Sequence, residues 1–242
     1  MIQALANPQR FLGFSRWAAP LAAALAIVLF AIGLPWGLFF SPADYQQGES
    51  VRIMYVHVPA AWWALGIYAF MGGASFTALI WRHALADVAA KAAAPIGAAY
   101  AGLCLFTGSL WGAPTWGTWW VWDARLTSML ILFLTYLGYL ALHAAIEDRA
   151  RAARLAAVLC LAGVINLPIV HYSVEWWSTL HQPASILRTG GSAIHASMMG
   201  PLFTMAGAYA AAFAALVLIN MRAEIFERRA ESLAVKRARA TA

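Results

Sequence analysis

Charge is the scarcest commodity in this sequence. Only 11% of its 242 residues are Asp, Glu, Lys or Arg, while 63% are hydrophobic, against roughly 25% charged residues in a typical soluble domain. A soluble fold with that balance has too little polar surface to cover its exterior, so composition points to a membrane protein. Cysteine is nearly absent as well. The 2 that exist, Cys104 and Cys160, lie inside apolar runs with no CxxC or CxxCH arrangement, which argues against a thiol redox pair, a thioether attachment point and a thiolate zinc site. They read as small packing residues. Also missing are a nucleotide-binding loop and a recognisable acid–base triad.

What is present is long uncharged sequence. A spanning helix needs about 20 mostly apolar residues, and residues 17–40, 53–81, 92–122, 126–146, 155–174 and 189–221 contain no Asp, Glu, Lys or Arg. They predict an all-α fold, a six-helix transmembrane bundle forming one domain over residues 1–242. The third and sixth runs are longer than one span requires. The third is expected to hold a helix ending near Trp111, followed by an uncharged loop in which Pro114 and Gly117 favour a turn. The sixth is expected to start its helix near His195. Arg10 and Arg16 precede the first run, but no small-residue cleavage site follows, so it reads as a retained helix.

All but Arg52, Arg125 and Arg188 of the 16 Lys and Arg residues fall on one side of this layout. Short positive loops stay cytoplasmic, which puts both termini in the cytoplasm and three loops outside. The formal charge of +6 is then mostly topology signal, with no nucleic-acid partner implied. The tail IFERRAESLAVKRARATA is expected to extend the last helix into the cytoplasm.

Of the 12 tryptophans, only Trp17 and Trp81 lie at inner ends of segments. Aromatic belts occupy both interfaces, so the imbalance marks the outer side as special. The densest stretch is WGTWWVWDARLT, where Trp116, Trp119, Trp120 and Trp122 offer a flat apolar platform. Asp123 is placed to cap the fourth helix. Arg125 would sit in that helix's first turn, where a cation is disfavoured, and an anionic partner would explain it: Asp123 or a ligand carboxylate.

Four histidines share the outer side: His57, His171, His181 and His195. His83 and His143 lie toward inner helix ends and read as structural. His57 and His181 each begin a His-x-Pro-Ala motif, expected just ahead of a helix mouth because proline suits a first turn. With Trp62, Trp63, Trp176 and Trp177 nearby, they suggest paired axial ligands to a haem iron, with His171 and His195 as substitutes. A porphyrin suits such a place, since its faces seek aromatic cover and its carboxylates seek cations or water. Zinc on His171, Glu175, His181 and His195 is a weaker reading, because no compact four-ligand motif is present.

The stretch SLWGAPTWGTWWVWDARLTSML, residues 109–130, closely resembles the WWD signature of haem-handling proteins, specifically the cytochrome c maturation protein C family, CcmC. The resemblance continues through YVHVPAAWW and HYSVEWWSTLHQPASI and covers nearly the full length. It implies an inner-membrane protein with a periplasmic Trp-rich loop and short helices at that interface. It further implies non-covalent haem b held between residues 109–130 and two histidines matching His57 and His181, with Trp116, Trp119, Trp120, Trp122, Asp123 and Arg125 among the binding residues. The implied partners are the haem chaperone CcmE, the small membrane protein CcmD and the ATP-driven CcmA–CcmB complex. The implied role is holding and presenting haem, without independent turnover. The alternatives from other classes are a membrane haem b electron-transfer protein and a scaffold without chemistry.

Overall fold

A computed structural model describes residues 7–182, 185–186 and 191–241. Arg188 and the Pro183–Ala184 half of the second His-x-Pro-Ala motif lie outside the described residues. Helix α1 spans Pro8–Pro35 and runs into a π-helical turn at Trp36–Phe40. Its start is specified locally: the Asn7 side chain accepts from the amides of Gln9 at 2.8 Å and Arg10 at 3.5 Å, and Pro8 occupies a position whose amide needs no partner. A 3₁₀ turn at Glu49–Ile53 feeds α2, Met54–Trp81. Next come α3 at Ala84–Trp116, α4 at Ala124–Ala145, α5 at Arg149–Val164, α6 at Asn166–Trp176 and α7 at Ala196–Thr241.

These elements make 6 segments long and apolar enough to cross a membrane, and no strand occurs among the described residues. The all-α six-span architecture therefore holds. The fifth span is α5 and α6 together, Arg149–Trp176. It breaks near Ile165, because Pro168 has no amide proton to return to the preceding turn. Asn166 anchors the break by donating to the Ser128 carbonyl at 2.8 Å.

Two boundaries differ from expectation. Helix α3 does not stop near Trp111 but continues through Pro114 to Trp116. A proline in a last turn forfeits one backbone bond, and the Thr115 hydroxyl supports that turn by donating to the Trp111 carbonyl at 2.8 Å. Gly117, at φ 74°, then ends the helix in the left-handed conformation that glycine adopts without strain, its N–H reaching Ala113 O at 3.1 Å. The Trp-rich loop is therefore confined to residues 117–123, and Trp116 belongs to the helix. His57 lies inside α2 rather than ahead of it, since the 3₁₀ turn leads directly into a helix that begins at Met54. The last helix starts at Ala196, as its sequence suggests, and includes the charged tail.

Helix α3 is the central post. Its Ala90, Ala92, Ala93, Ala94, Ala98 and Ala101 are buried, and small residues let helices approach closely where lipid supplies no hydrophobic drive. Polar side chains find backbone acceptors across helices: buried Tyr136 donates to Ala64 O at 2.7 Å, and the half-buried Trp63 indole and Asn220 donate to Ala206 O at 2.9 Å and Ala92 O at 3.1 Å. At one end of the bundle an ion network ties α3, α5 and α7. Glu224, 7% exposed, pairs with Lys91 at 2.7 Å, Arg228 at 2.7 Å and Arg149 at 3.2 Å, and Arg228 reaches Asp87 at 2.7 Å. Along α3 this network and Trp116 are separated by roughly 40 Å at 1.5 Å per residue. The tryptophan-rich end is the opposite end of the molecule.

Candidate functional site

At that opposite end, the mouths of α2, α3 and α4 converge with the connection that follows α6. His57 projects from the first turns of α2 onto α3. Its Nδ1 lies 3.1 Å from the Cys104 carbonyl and 3.1 Å from the Thr107 hydroxyl. A carbonyl only accepts, so Nδ1 carries the ring proton and Nε2 keeps a free lone pair. The ring occupies a slot that exists because residue 108 is glycine: a Cβ there would stand 3.0 Å from His57 Cε1. Trp111 closes the slot edge-on, at 5.7 Å between centroids and 77° between planes. Trp111 is held in turn by its indole N–H, which donates to Gln47 Oε1 at 2.8 Å.

His181 comes from the connection after α6 and packs edge-on against Trp116, with ring centroids 4.7 Å apart. Its Nδ1 lies 3.7 Å from Asp123 Oδ2, and the two side chains are 21% and 5% exposed. Asp123 divides its oxygens. Oδ1 accepts from the Leu126 amide at 2.8 Å and so caps α4, while Oδ2 turns to His181. Neither Oδ2 nor His181 Nδ1 has a hydrogen-bond partner, although both are buried. Burial, reinforced by the Arg125 charge and opposed by Asp123, pushes the His181 imidazole down to about 4. It is therefore neutral at pH 7, the form in which an imidazole binds metal.

Arg125 is half-buried in the first turn of α4. It lies within electrostatic range of His57, His181 and Asp123. Among the described residues it makes no ion pair, so Asp123 is not the direct anionic partner that sequence reasoning allowed. The loop between α3 and α4 carries the remaining tryptophans. Trp120 packs on Trp122 at 5.4 Å, its indole N–H buried without a partner. Trp119 and Trp122 are 61% and 76% exposed.

His57, His181, Trp116, Asp123 and Arg125 are thus gathered at one end, with Trp119, Trp120 and Trp122 on the adjoining loop. Other expected neighbours are elsewhere. Trp63 turns into the bundle, Trp62 faces Phe203 at 6.3 Å, and Trp176 stacks on Tyr172 at 5.5 Å. His195 interacts through Nδ1 with the hydroxyl and amide of Ser197 at 2.8 and 3.3 Å, supporting the start of α7. His171 is exposed and lies against Tyr172. No group of three or more His, Cys, Asp or Glu is placed to hold a metal ion among the described residues, so the zinc assembly with Glu175 is not formed. Thr107, Gly108 and Gln47 escaped sequence reasoning, since single polar or small residues in apolar or loop sequence carry no motif signal.

The donor set suits haem. It offers two neutral imidazoles from separate elements, each with a carbonyl or carboxylate facing Nδ1 in the manner of outer-shell support. Beside them stand indole surfaces and a guanidinium that makes no ion pair among the described residues.

Comparison with known proteins gives the family. A sequence model described as CcmC, Heme exporter protein C, matches residues 1–236. The chain belongs to the heme exporter protein C family. A family member named Heme exporter protein C from Bradyrhizobium diazoefficiens is 56% identical over 234 residues, covering 97% of this chain and 89% of the relative. Those of the same name from Haemophilus influenzae and Paracoccus denitrificans are 49% identical over 218 residues and 46% identical over 237 residues. They cover 90% and 97% of this chain and 89% and 98% of the relatives. As a member of the heme exporter protein C family, the chain is matched across the helices that converge on His57 and Asp123, not only in its Trp-rich segment.

Proposed function

We propose that this chain binds haem b non-covalently at its tryptophan-rich end and presents it to the haem chaperone CcmE during c-type cytochrome maturation. The observation that carries the reading is the pairing of His57 and His181, both with Nδ1 facing an oxygen and both beside Arg125. When bound, haem would supply an iron for His57 and His181 to hold and a vinyl edge to which a partner's histidine could bond.

The protein's own residues do the holding. The Cys104 carbonyl keeps the ring proton of His57 on Nδ1, and the Asp123 carboxylate, facing His181 Nδ1 across 3.7 Å, favours the same tautomer there, which leaves Nε2 of each as the ligand atom. Arg125 pairs with a propionate, giving a half-buried cation at a helix N-terminus the anion its position calls for. Trp116 and Trp120 cover the apolar ring, and burial of such surface contributes roughly 25 cal/mol per Å². The exposed Trp119 and Trp122 form the rim on which a partner docks. No residue of the chain acts as nucleophile in this scheme, so the protein is a holder and presenter.

The same reading places the protein in the bacterial inner membrane with the haem site facing the periplasm and both termini in the cytoplasm. The support is the distribution of Lys and Arg, most of which lie at the end carrying the Glu224 network. CcmD and the CcmA–CcmB complex are the proposed membrane partners. The test is transfer: the purified haem-loaded chain is mixed with haem-free CcmE, and covalently bound haem is followed on the chaperone. Transfer that depends on His57 and His181 is expected. Reversible quinone-linked turnover with no transfer would overturn the proposal.

A further inference from the structure

We propose that Thr107 is a positioning residue for His57, fixing its tautomer and ring orientation together with the Cys104 carbonyl. The inference rests on the reading of His57 as an axial haem ligand and extends it to a residue one layer further from the iron.

Thr107 has one hydroxyl proton, and that hydroxyl lies 2.7 Å from the Leu103 carbonyl, one turn back on α3, and 3.3 Å from Cys104 O. A carbonyl can only accept, so the proton is committed to Leu103. What remains on Thr107 Oγ1 is lone pairs, and His57 Nδ1 stands 3.1 Å away. The Cys104 carbonyl, also at 3.1 Å, likewise only accepts. Two acceptors therefore converge on one ring nitrogen, and a donor is the only species that satisfies both. Thr107 is buried, at 7% exposure, so water does not compete for that bond.

The second acceptor adds orientation. One bond to Cys104 would set the tautomer but leave the ring free to swing about it. A forked bond to two atoms of adjacent α3 turns fixes the ring plane, and the slot above Gly108 admits the ring edge-on. Electron density drawn toward Nδ1–H also makes Nε2 a stronger donor, the usual effect of an outer-shell partner on a ligating imidazole.

The test uses the full chain in detergent or lipid. In the haem-free protein, nitrogen NMR of labelled histidine, with the His57 signal assigned by its loss in His57→Ala, is expected to show Nδ1 protonated. Thr107→Val keeps the shape of the side chain and removes the acceptor. Since Cys104 O remains, haem affinity should fall about tenfold, the lower end of outer-shell effects. The midpoint potential of the bound haem should rise, because the ferric state gains more from a strong donor. Thr107→Ser should restore both. An Nε2-protonated His57 would overturn the inference, and so would Thr107→Val with unchanged affinity and potential. Failure of the underlying reading looks different: His57→Ala itself would then leave the haem spectrum unchanged.

Discussion

Asp123 serves two masters, and replacing it by asparagine separates them. The Asn carbonyl can still accept from the Leu126 amide, now at 2.8 Å from Oδ1, and Asn is as good an N-cap as Asp. The amide nitrogen then stands where Oδ2 faces His181 Nδ1 across 3.7 Å. An amide nitrogen only donates. The substitution therefore favours Nδ1 as an acceptor and the ring proton on Nε2, the atom required for iron. Asp123→Asn should leave helix stability within a few tenths of a kcal/mol while weakening haem binding by about 10- to 100-fold, or about 1.4–2.7 kcal/mol. Asp123→Ala should lose the cap too, at a cost of about 1 kcal/mol. Haem titration followed by Soret absorbance, paired with heat unfolding in the same detergent, reads both quantities. An Asn variant with wild-type affinity and spectrum would reduce Asp123 to a helix cap and refute its support of His181.

Arg125→Gln should lower haem affinity by about 10- to 100-fold, the worth of a charged hydrogen bond, and should abolish discrimination between haem and its dimethyl ester. Titration with the two porphyrins checks this, and a preference for the free acid that survives the substitution would remove the propionate role. Glu224→Gln leaves Lys91, Arg149 and Arg228 around a neutral amide. Because those partners are 29–38% exposed, the loss should be about 2 kcal/mol, below that of a fully buried pair. Heat unfolding should show it, and the haem spectrum of the folded fraction should not change, since the site lies at the other end of α3.

The six spans were legible because membrane helices announce themselves by the charges they exclude, and composition reports that directly. The helix ends were harder. Pro114 reads as a breaker in sequence, yet one missing backbone bond in a last turn is tolerated when Gly117 can close the helix beyond it. The shared His-x-Pro-Ala motif favoured His57 and His181, left His171 and His195 as substitutes, and the family resemblance matched the first pair. Sequence does not show their surroundings, which differ: His57 Nδ1 faces the Cys104 carbonyl and His181 Nδ1 faces Asp123, whereas His195 Nδ1 is engaged by Ser197 and the exposed His171 ring lies against Tyr172. Thr107 and Gln47 act across 50 and 64 residues of chain, and only the packing of α2 on α3 and of the α1–α2 connection on Trp111 brings them into view.

The central claim is that His57 and His181 are the axial pair, and the spectrum of the haem-loaded chain tests it most directly. Wild type should show a low-spin, six-coordinate haem with two imidazoles. His57→Ala and His181→Ala should each lose that signature and bind haem more weakly, while His171→Ala and His195→Ala keep it. Retention of the low-spin spectrum in both of the first two variants, or its loss in either of the last two, would contradict the account.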